Sequence, residues 1–162
     1  LAVTFPKSVG QIPFAFPFKP GSDESSETSV YGALYPFGHG LSYTTFQYSD
    51  LVISPSKQGV QGNISISCTI KNIGQREGDE VVQLYLRDEV SSVTTYTQVL
   101  RGFERITLKP EASHTVHFEL TPQELGIWDK QMNFTVEPGM FKVMIGSSSK
   151  DIRLKGEFEI AQ

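Results

Sequence analysis

The chain is 162 residues long with a formal net charge of −4 and a single cysteine, which leaves room for one domain of roughly 100 to 120 residues plus an appendage. An acidic balance without any Lys/Arg run argues against a nucleic-acid or anionic-membrane partner, and one cysteine allows no intrachain disulfide. No apolar run approaches the roughly 18 residues of a membrane span, and Leu1–Pro6 is too short and too uncharged for a signal peptide, so any targeting segment is expected upstream.

Leu1, Val3 and Phe5 alternate with Ala2 and Thr4, the pattern of a short strand stopped by Pro6. It is expected to be a strand whose partners lie outside this sequence, free to fray, fold back or pair with a second copy. From Lys7 to Pro20, Pro13, Pro17 and Pro20 exclude a helix, and Phe14, Phe16 and Phe18 read as an extended segment laid over a surface. Gly21 to Ser29 is polar and acidic and is expected to be a mobile loop; Asp23, Glu24 and Glu27 have nothing apolar nearby to make them a paired-carboxylate site. Tyr35 to Phe46 then forms a joint between this incomplete piece and a complete domain. Gly38 and Gly40 permit backbone conformations closed to other residues, Pro36 fixes one φ angle, and Tyr35, Phe37, Leu41, Tyr43 and Phe46 supply apolar area to dock it.

Strand-like segments recur from there to the end. Phe46 to Ile53 is the first, and Asn63 to Asn72 the second, with Ile64, Ile66, Cys68 and Ile70 on one face and Ser65, Ser67, Thr69 and Lys71 on the other. That alternation makes Cys68 a small core side chain rather than a reactive or metal-binding thiol. Glu80 to Arg87 follows a glycine-containing turn and reads as the second arm of a hairpin, with Val82, Leu84 and Leu86 opposite Val81, Gln83 and Tyr85. Gln98 to Ile106 and Thr115 to Leu120 continue the pattern. Thr121-Pro122-Gln123-Glu124 is a capping box cut short by Gly126, enough for one helical turn. Phe134 to Val136, Met140 to Gly146 and Arg153 to Ile160 complete seven or eight strands without a helical period. The fold class is therefore all-β, an immunoglobulin-like sandwich with an extended N-terminal segment, and the missing disulfide favours the fibronectin type III-like form.

Few residues are candidates for chemistry. His114 and His117, three apart on a strand, face opposite sides and cannot chelate one ion together, so no metal site is expected. His39, between two glycines, is expected to make a structural hydrogen bond, although its position would let it reach a neighbouring domain or a ligand. Trp128 is either a sugar-stacking platform or a cap on the sandwich beside the helical turn, and the cap is the expectation. Asn63-Ile64-Ser65 and Asn133-Phe134-Thr135 match the glycosylation acceptor pattern, which matters only in a eukaryotic secretory pathway.

The joint reads Tyr-Pro-Phe-Gly-His-Gly-Leu-Ser-Tyr-Thr-Thr-Phe and resembles the passage that, in family 3 glycoside hydrolases, leads from the α/β sandwich domain into a C-terminal fibronectin type III-like domain. Val3 to Pro13 resembles the end of that sandwich domain. Glu80 to Asp88, Val90 to Thr94 and Leu100 to Glu104 resemble the C-terminal domain, so the likeness covers essentially the whole chain. It implies that residues 1–44 are the tail of one domain plus the joint, that residues 45–162 are the fibronectin type III-like domain, and that Tyr35, Phe37, His39 and Tyr43 pack between domains. A retaining glycosidase needs a nucleophilic carboxylate and an acid/base carboxyl roughly 5 to 5.5 Å apart. The resemblance implies that both precede Leu1, so this chain is expected to hold no catalytic residue, cofactor or metal, and to be inert alone. The implied partners are the upstream catalytic domains of the same polypeptide and, through them, β-glycosides, with a β-glucosidase-like parent that is secreted or periplasmic, a cytoplasmic one remaining open. The rival reading is a carbohydrate-binding or adhesion module, which requires exposed aromatics in a row or groove; exposure of Trp128, Tyr85 and Tyr96 discriminates the two.

Overall fold

The computed structural model describes residues 1–11, 15–21 and 32–161. Among these, two short strands precede the joint, β1 (Phe5–Pro6) and β2 (Ala33–Tyr35). The domain proper contains β3 (Phe46–Ser54), β4 (Lys57–Gly59), β5 (Ile64–Asn72), β6 (Gly78–Asp88), β7 (Val99–Leu108), β8 (Ser113–Leu120), α1 (Pro122–Leu125), β9 (Ile127–Trp128), β10 (Phe134–Thr135), β11 (Gly139–Gly146) and β12 (Ile152–Ala161). They form a three-stranded sheet in the order β3-β5-β8 facing a five-stranded sheet in the order β4-β12-β11-β6-β7, with β9 and β10 as a separate small hairpin. Every pairing is antiparallel except β4 with β12.

The period-two pattern explains the core. Ile64, Ile66, Cys68 and Ile70 are completely buried, and they meet Val82, Leu84 and Leu86 of β6 and Phe141, Val143 and Ile145 of β11 across the two sheets. Each such side chain contributes about 1.5 to 3 kcal/mol when taken from water. Helix α1 is the expected single turn: Thr121 N–H donates to Glu124 Oε2 at 2.8 Å, and the Thr121 side chain accepts from Gln123 N–H.

Two expectations are corrected, and one strand is new. β5 and β6 are not a hairpin, because their link crosses from the three-stranded to the five-stranded sheet. A polar, glycine-containing turn between two amphipathic strands looks the same whether the strands pair or lie opposite each other across a core. The decisive group is the fully buried Asn72. Its Nδ2 donates to Arg76 O at 2.7 Å and Leu108 O at 2.9 Å, while its Oδ1 accepts from Gly74 N at 3.0 Å and Thr44 Oγ1 at 2.6 Å. These four bonds hold the crossover open and tie it to the end of the joint. Second, the N-terminal strand has its partner in this sequence: Phe5 is opposite Tyr35 and Pro6 opposite Ala33, and the strand covers Phe5–Pro6 rather than Leu1–Phe5. The strand β4, whose three residues Lys57, Gln58 and Gly59 carry no alternation, was not foreseen and runs parallel to the edge of β12. Residues 22–29 of the expected mobile loop, with Asp23, Glu24 and Glu27, lie outside the described residues, as does Phe14.

Candidate functional site

β6 is buried on both faces. Val82, Leu84 and Leu86 enter the core, while Gln83 and Tyr85, 4% and 0% exposed, point outward beneath the N-terminal segment. Tyr85 Oη donates to Gln83 Oε1 at 2.5 Å, and Gln83 Nε2 donates to Gly38 O at 3.1 Å and to Ser147 O at 2.6 Å. A buried side-chain amide thus fastens the joint to the outer face of the sheet. Gly38 has φ +83°, a left-handed conformation that disfavours any Cβ, and a Cβ there would overlap Gln83 Oε1 and come within 2.9 Å of Tyr85 Oη. Burial raises the pKa of the Tyr85 phenol, so it remains a donor across the physiological range.

The extended segment completes the cover. Phe16 stacks on Phe37 at 4.5 Å and meets Tyr85 edge-on at 5.7 Å. Phe18 O accepts from Thr97 N–H at 2.9 Å, Phe37 O accepts from Ser149 N–H at 2.9 Å, and Leu1 O accepts from Gly38 N–H at 2.7 Å. At the far end of the joint, Arg153 donates to Phe46 O at 2.9 Å, lies 4.8 Å over the Tyr48 ring and pairs with Asp151 at 2.8 Å, clamping the start of β3 to β12.

The sequence-selected residues divide. Phe37 turns inward and stacks on Phe16. His39 is half-buried and stacks on Tyr35 at 5.1 Å, and Tyr35 in turn meets Phe5 at 6.0 Å. Leu41 and Tyr43 do not help to dock the joint on this domain: they stand 93% and 89% exposed. Between joint and sheet runs a groove of about 650 Å³ whose lining includes Leu1, Leu41, Val81, Leu100 and the two-thirds-exposed Phe103. Trp128 follows α1 and packs against Phe134 at 5.5 Å, yet remains 59% exposed. Tyr85, chosen with Trp128 and Tyr96 as a test of aromatic exposure, is fully buried, so it offers no exposed platform, whereas Gln83 and Asn72 were not singled out from the sequence. The only signal for Gln83 was an apolar stretch, Val81 to Leu86, broken by that one glutamine.

The fibronectin type III-like domain family matches residues 80–149. The periplasmic β-glucosidase of Salmonella typhimurium is 41% identical over 172 residues that take in 99% of this chain and 22% of that protein. A β-xylosidase of Formosa agariphila is 42% identical, over 96% of this chain and 22% of that protein. The chain belongs to the C-terminal region of the family 3 glycoside hydrolases. Solved structures agree: a β-glucosidase from Erythrobacter marinus superposes with a TM-score of 0.91 at 35% identity over 98% of this chain and 21% of that one. For the glucose complex of a β-glucosidase from Listeria innocua the values are 0.87 and 31%, over 100% and 24%. The chain thus spans 22% of the length of the two curated relatives just named.

Against the needs of a retaining carboxyl pair, the carboxyls with raised pKa among the described residues are poorly arranged. Burial raises the pKa of Glu80, and burial together with the Glu137 and Glu89 carboxylates pushes Asp88 up to about 6. These two residues stand near opposite ends of β6, roughly 26 Å apart along a strand, several times the separation a retaining pair needs. Glu89 is held by Lys142 at 2.8 Å and Arg87 at 3.1 Å, and Glu137 accepts from Ser92 N–H at 2.8 Å. Among the described residues no three His, Cys, Asp or Glu side chains could hold a metal ion.

Proposed function

We propose that this chain is the buttressing module of a retaining β-glycosidase of β-glucosidase type, holding in place preceding catalytic domains that carry the nucleophile and the acid/base. Residues 1–44 are the tail of the preceding domain plus the joint, and residues 45–162 the module itself. The observation that carries this reading is the apolar groove beside a rigidly fastened joint. Leu1, Leu41 and Phe103 line it at 53%, 93% and 67% exposed, and Tyr43 stands beside them in the chain at 89%, too much apolar surface in one region to be left to water. Its occupant is the preceding domain of the same polypeptide, entering next to Leu1, with Tyr35, Phe37 and His39 fixing the joint and Tyr43 packing against that domain.

Nitrophenyl β-glucoside and β-xyloside assays test the division of labour. The purified 162-residue chain turns over neither substrate above the buffer rate, and the longer polypeptide that carries it hydrolyses at least one. Phe103→Asp in the longer polypeptide lowers the temperature at which activity is lost. Turnover by the isolated chain, abolished by changing one of its acidic residues, overturns the reading, as does a Phe103→Asp protein with unchanged heat inactivation. In isolation, the same surface, together with Leu1 and Val3 at 53% and 55% exposed, pairs with a second copy. Identical monomeric masses by light scattering at high concentration, with and without residues 1–30, remove that part.

A further inference from the structure

A second concavity lies at the other end of β6, between the 89–98 loop, α1 and the β9–β10 hairpin. Its volume is about 270 Å³, close to the lower bound of roughly 300 Å³ for small-molecule sites, and so suited to a single ring. Phe141 contributes to an apolar floor, and Tyr96 and Trp128, 45% and 59% exposed, contribute to the walls. Trp128 is preorganised. Asp129 Oδ1 accepts from Gln131 N–H and Asn133 N–H, both at 2.8 Å, which fixes the turn of the hairpin, and Phe134 braces the indole in a T-shaped contact.

Three charged groups share the groove. Glu124 is committed to capping α1, accepting from the Thr121 hydroxyl at 2.5 Å and the Thr121 N–H at 2.8 Å. Asp88 accepts only from Val90 N–H, at 3.2 Å through Oδ1, and Arg101 makes no hydrogen bond or close ion pair among the described residues, its charge being felt by Glu124 across the groove, so its N–H groups are open to a ligand. An aromatic plate beside a free carboxylate oxygen and a free guanidinium is the chemistry that recognises a polyol ring. Apolar C–H faces stack on the indole, and vicinal hydroxyls donate to the carboxylate and accept from the guanidinium. With two carboxylates against one guanidinium, an anionic ligand such as a phosphate or an acidic peptide is disfavoured.

We propose that this groove is a carbohydrate-binding site for a neutral pyranose whose hydroxyls are all equatorial, stacked on Trp128 and hydrogen-bonded by Asp88 and Arg101. Glucose and xylose rings have that shape; an axial hydroxyl, as in galactose, lifts one face off a flat aromatic plate. The site does not depend on the buttressing role and needs no catalytic residue, so binding without hydrolysis supports it and leaves that role untouched. The raised pKa of Asp88 gives a further mark. Glu137 and Glu89 face it with like charge, Lys142 and Arg87 engage Glu89, and Arg101 and Glu124 share its groove. Since the carboxylate is the form that accepts from hydroxyls, affinity falls as the pH drops through about 6.

Trp128 is the only tryptophan in the chain, so its emission reports directly on the groove. The 162-residue chain is titrated with the methyl β-glycosides of glucose, xylose and galactose. Expected are saturable shifts with the first two at weak, roughly millimolar affinity, and several-fold weaker binding of the third. Asp88→Asn and Arg101→Gln, which keep the fluorophore, each weaken binding roughly tenfold. An amide chemical-shift map of the wild-type chain with methyl β-glucoside locates the change at residues 88–101 and 124–128. No saturable shift with any sugar, equal affinities across the three, wild-type affinity in both variants, or shifts mapping elsewhere would overturn the proposal.

Discussion

Gly38→Ala should release the joint without unfolding the domain. Two costs add. At φ +83° an L side chain is strained by about 1 to 2 kcal/mol, and the new methyl displaces the Gln83 side chain, whose bonds to Gly38 O, Ser147 O and Tyr85 Oη are worth about 1 kcal/mol each. If half of the hydrogen-bond term is recovered by water, the docked joint loses about 3 kcal/mol, a factor of roughly 100 in its opening equilibrium. The amides to follow by native-state hydrogen exchange are Gly38, bonded to Leu1 O, Ser149, bonded to Phe37 O, and Thr97, bonded to Phe18 O. They should lose about two decades of protection, while amides of Ile64 to Ile70 keep theirs because, apart from Phe46 at its far end, the joint is not part of the inter-sheet core. Gly40→Ala is the control: nothing lies within 4 Å of a Cβ there, and its exchange should match wild type. Equal loss across β5, or unchanged protection at Gly38 and Ser149, would refute the assignment of Gln83 as the fastening.

Asn72→Ala, by leaving Arg76 O, Leu108 O and Gly74 N without their partner, should lower unfolding free energy by about 3 kcal/mol in urea titration. Cys68 is fully buried and its thiol is pushed up to about 11 by burial, with the Glu104 charge adding, so a bulky thiol reagent at neutral pH should react only as fast as the chain unfolds. Asp88→Asn should stabilise the chain at pH 7: a folded pKa of about 6 against 3.8 corresponds to roughly 3 kcal/mol, discounted to about 1 kcal/mol because the group is partly exposed. The gain should be gone by about pH 4, because a carboxyl with a raised folded pKa contributes its stability below the unfolded value and loses it as the pH rises through the folded one; equal melting shifts at pH 4 and pH 7 would contradict the assignment. Gly38→Ala and Asp88→Asn should combine additively, to within about 0.5 kcal/mol, in thermal and urea unfolding.

Much of the fold was legible because a two-sheet core writes itself as alternation. Ile64-Ser65-Ile66-Ser67-Cys68 can be buried on one side only, and the capping box at Thr121 states its own geometry. What alternation cannot state is which sheet a strand joins. The Asn72 crossover therefore read as a hairpin, since the information lies in four hydrogen bonds of one side chain to residues as distant as Leu108. Nor could it state that β6 is covered twice, because the second cover is the aromatic segment around Phe16, tens of residues away along the chain. The joint was recognised by its motif, but the motif did not say which of its aromatics turn inward. Phe37 does, against Phe16, while Tyr43 stays in water.

β6 carries both candidate surfaces, and its pleat keeps them apart. Gln83 and Tyr85 point to the outer face and hold the joint, whereas Asp88 shares the parity of Val82, Leu84 and Leu86 and comes out at the strand end where the core opens into the second groove. From Gln83 to Asp88 is roughly 17 Å of strand, beyond the range at which substitutions without shared partners normally couple. Gln83 bonds to Gly38, Ser147 and Tyr85, and Asp88 bonds to Val90, so the two networks have no member in common. The two proposals are therefore compatible: as proposed, the preceding domain seats on the joint while the groove at Asp88 stays open, because opposite faces of one strand serve the two tasks.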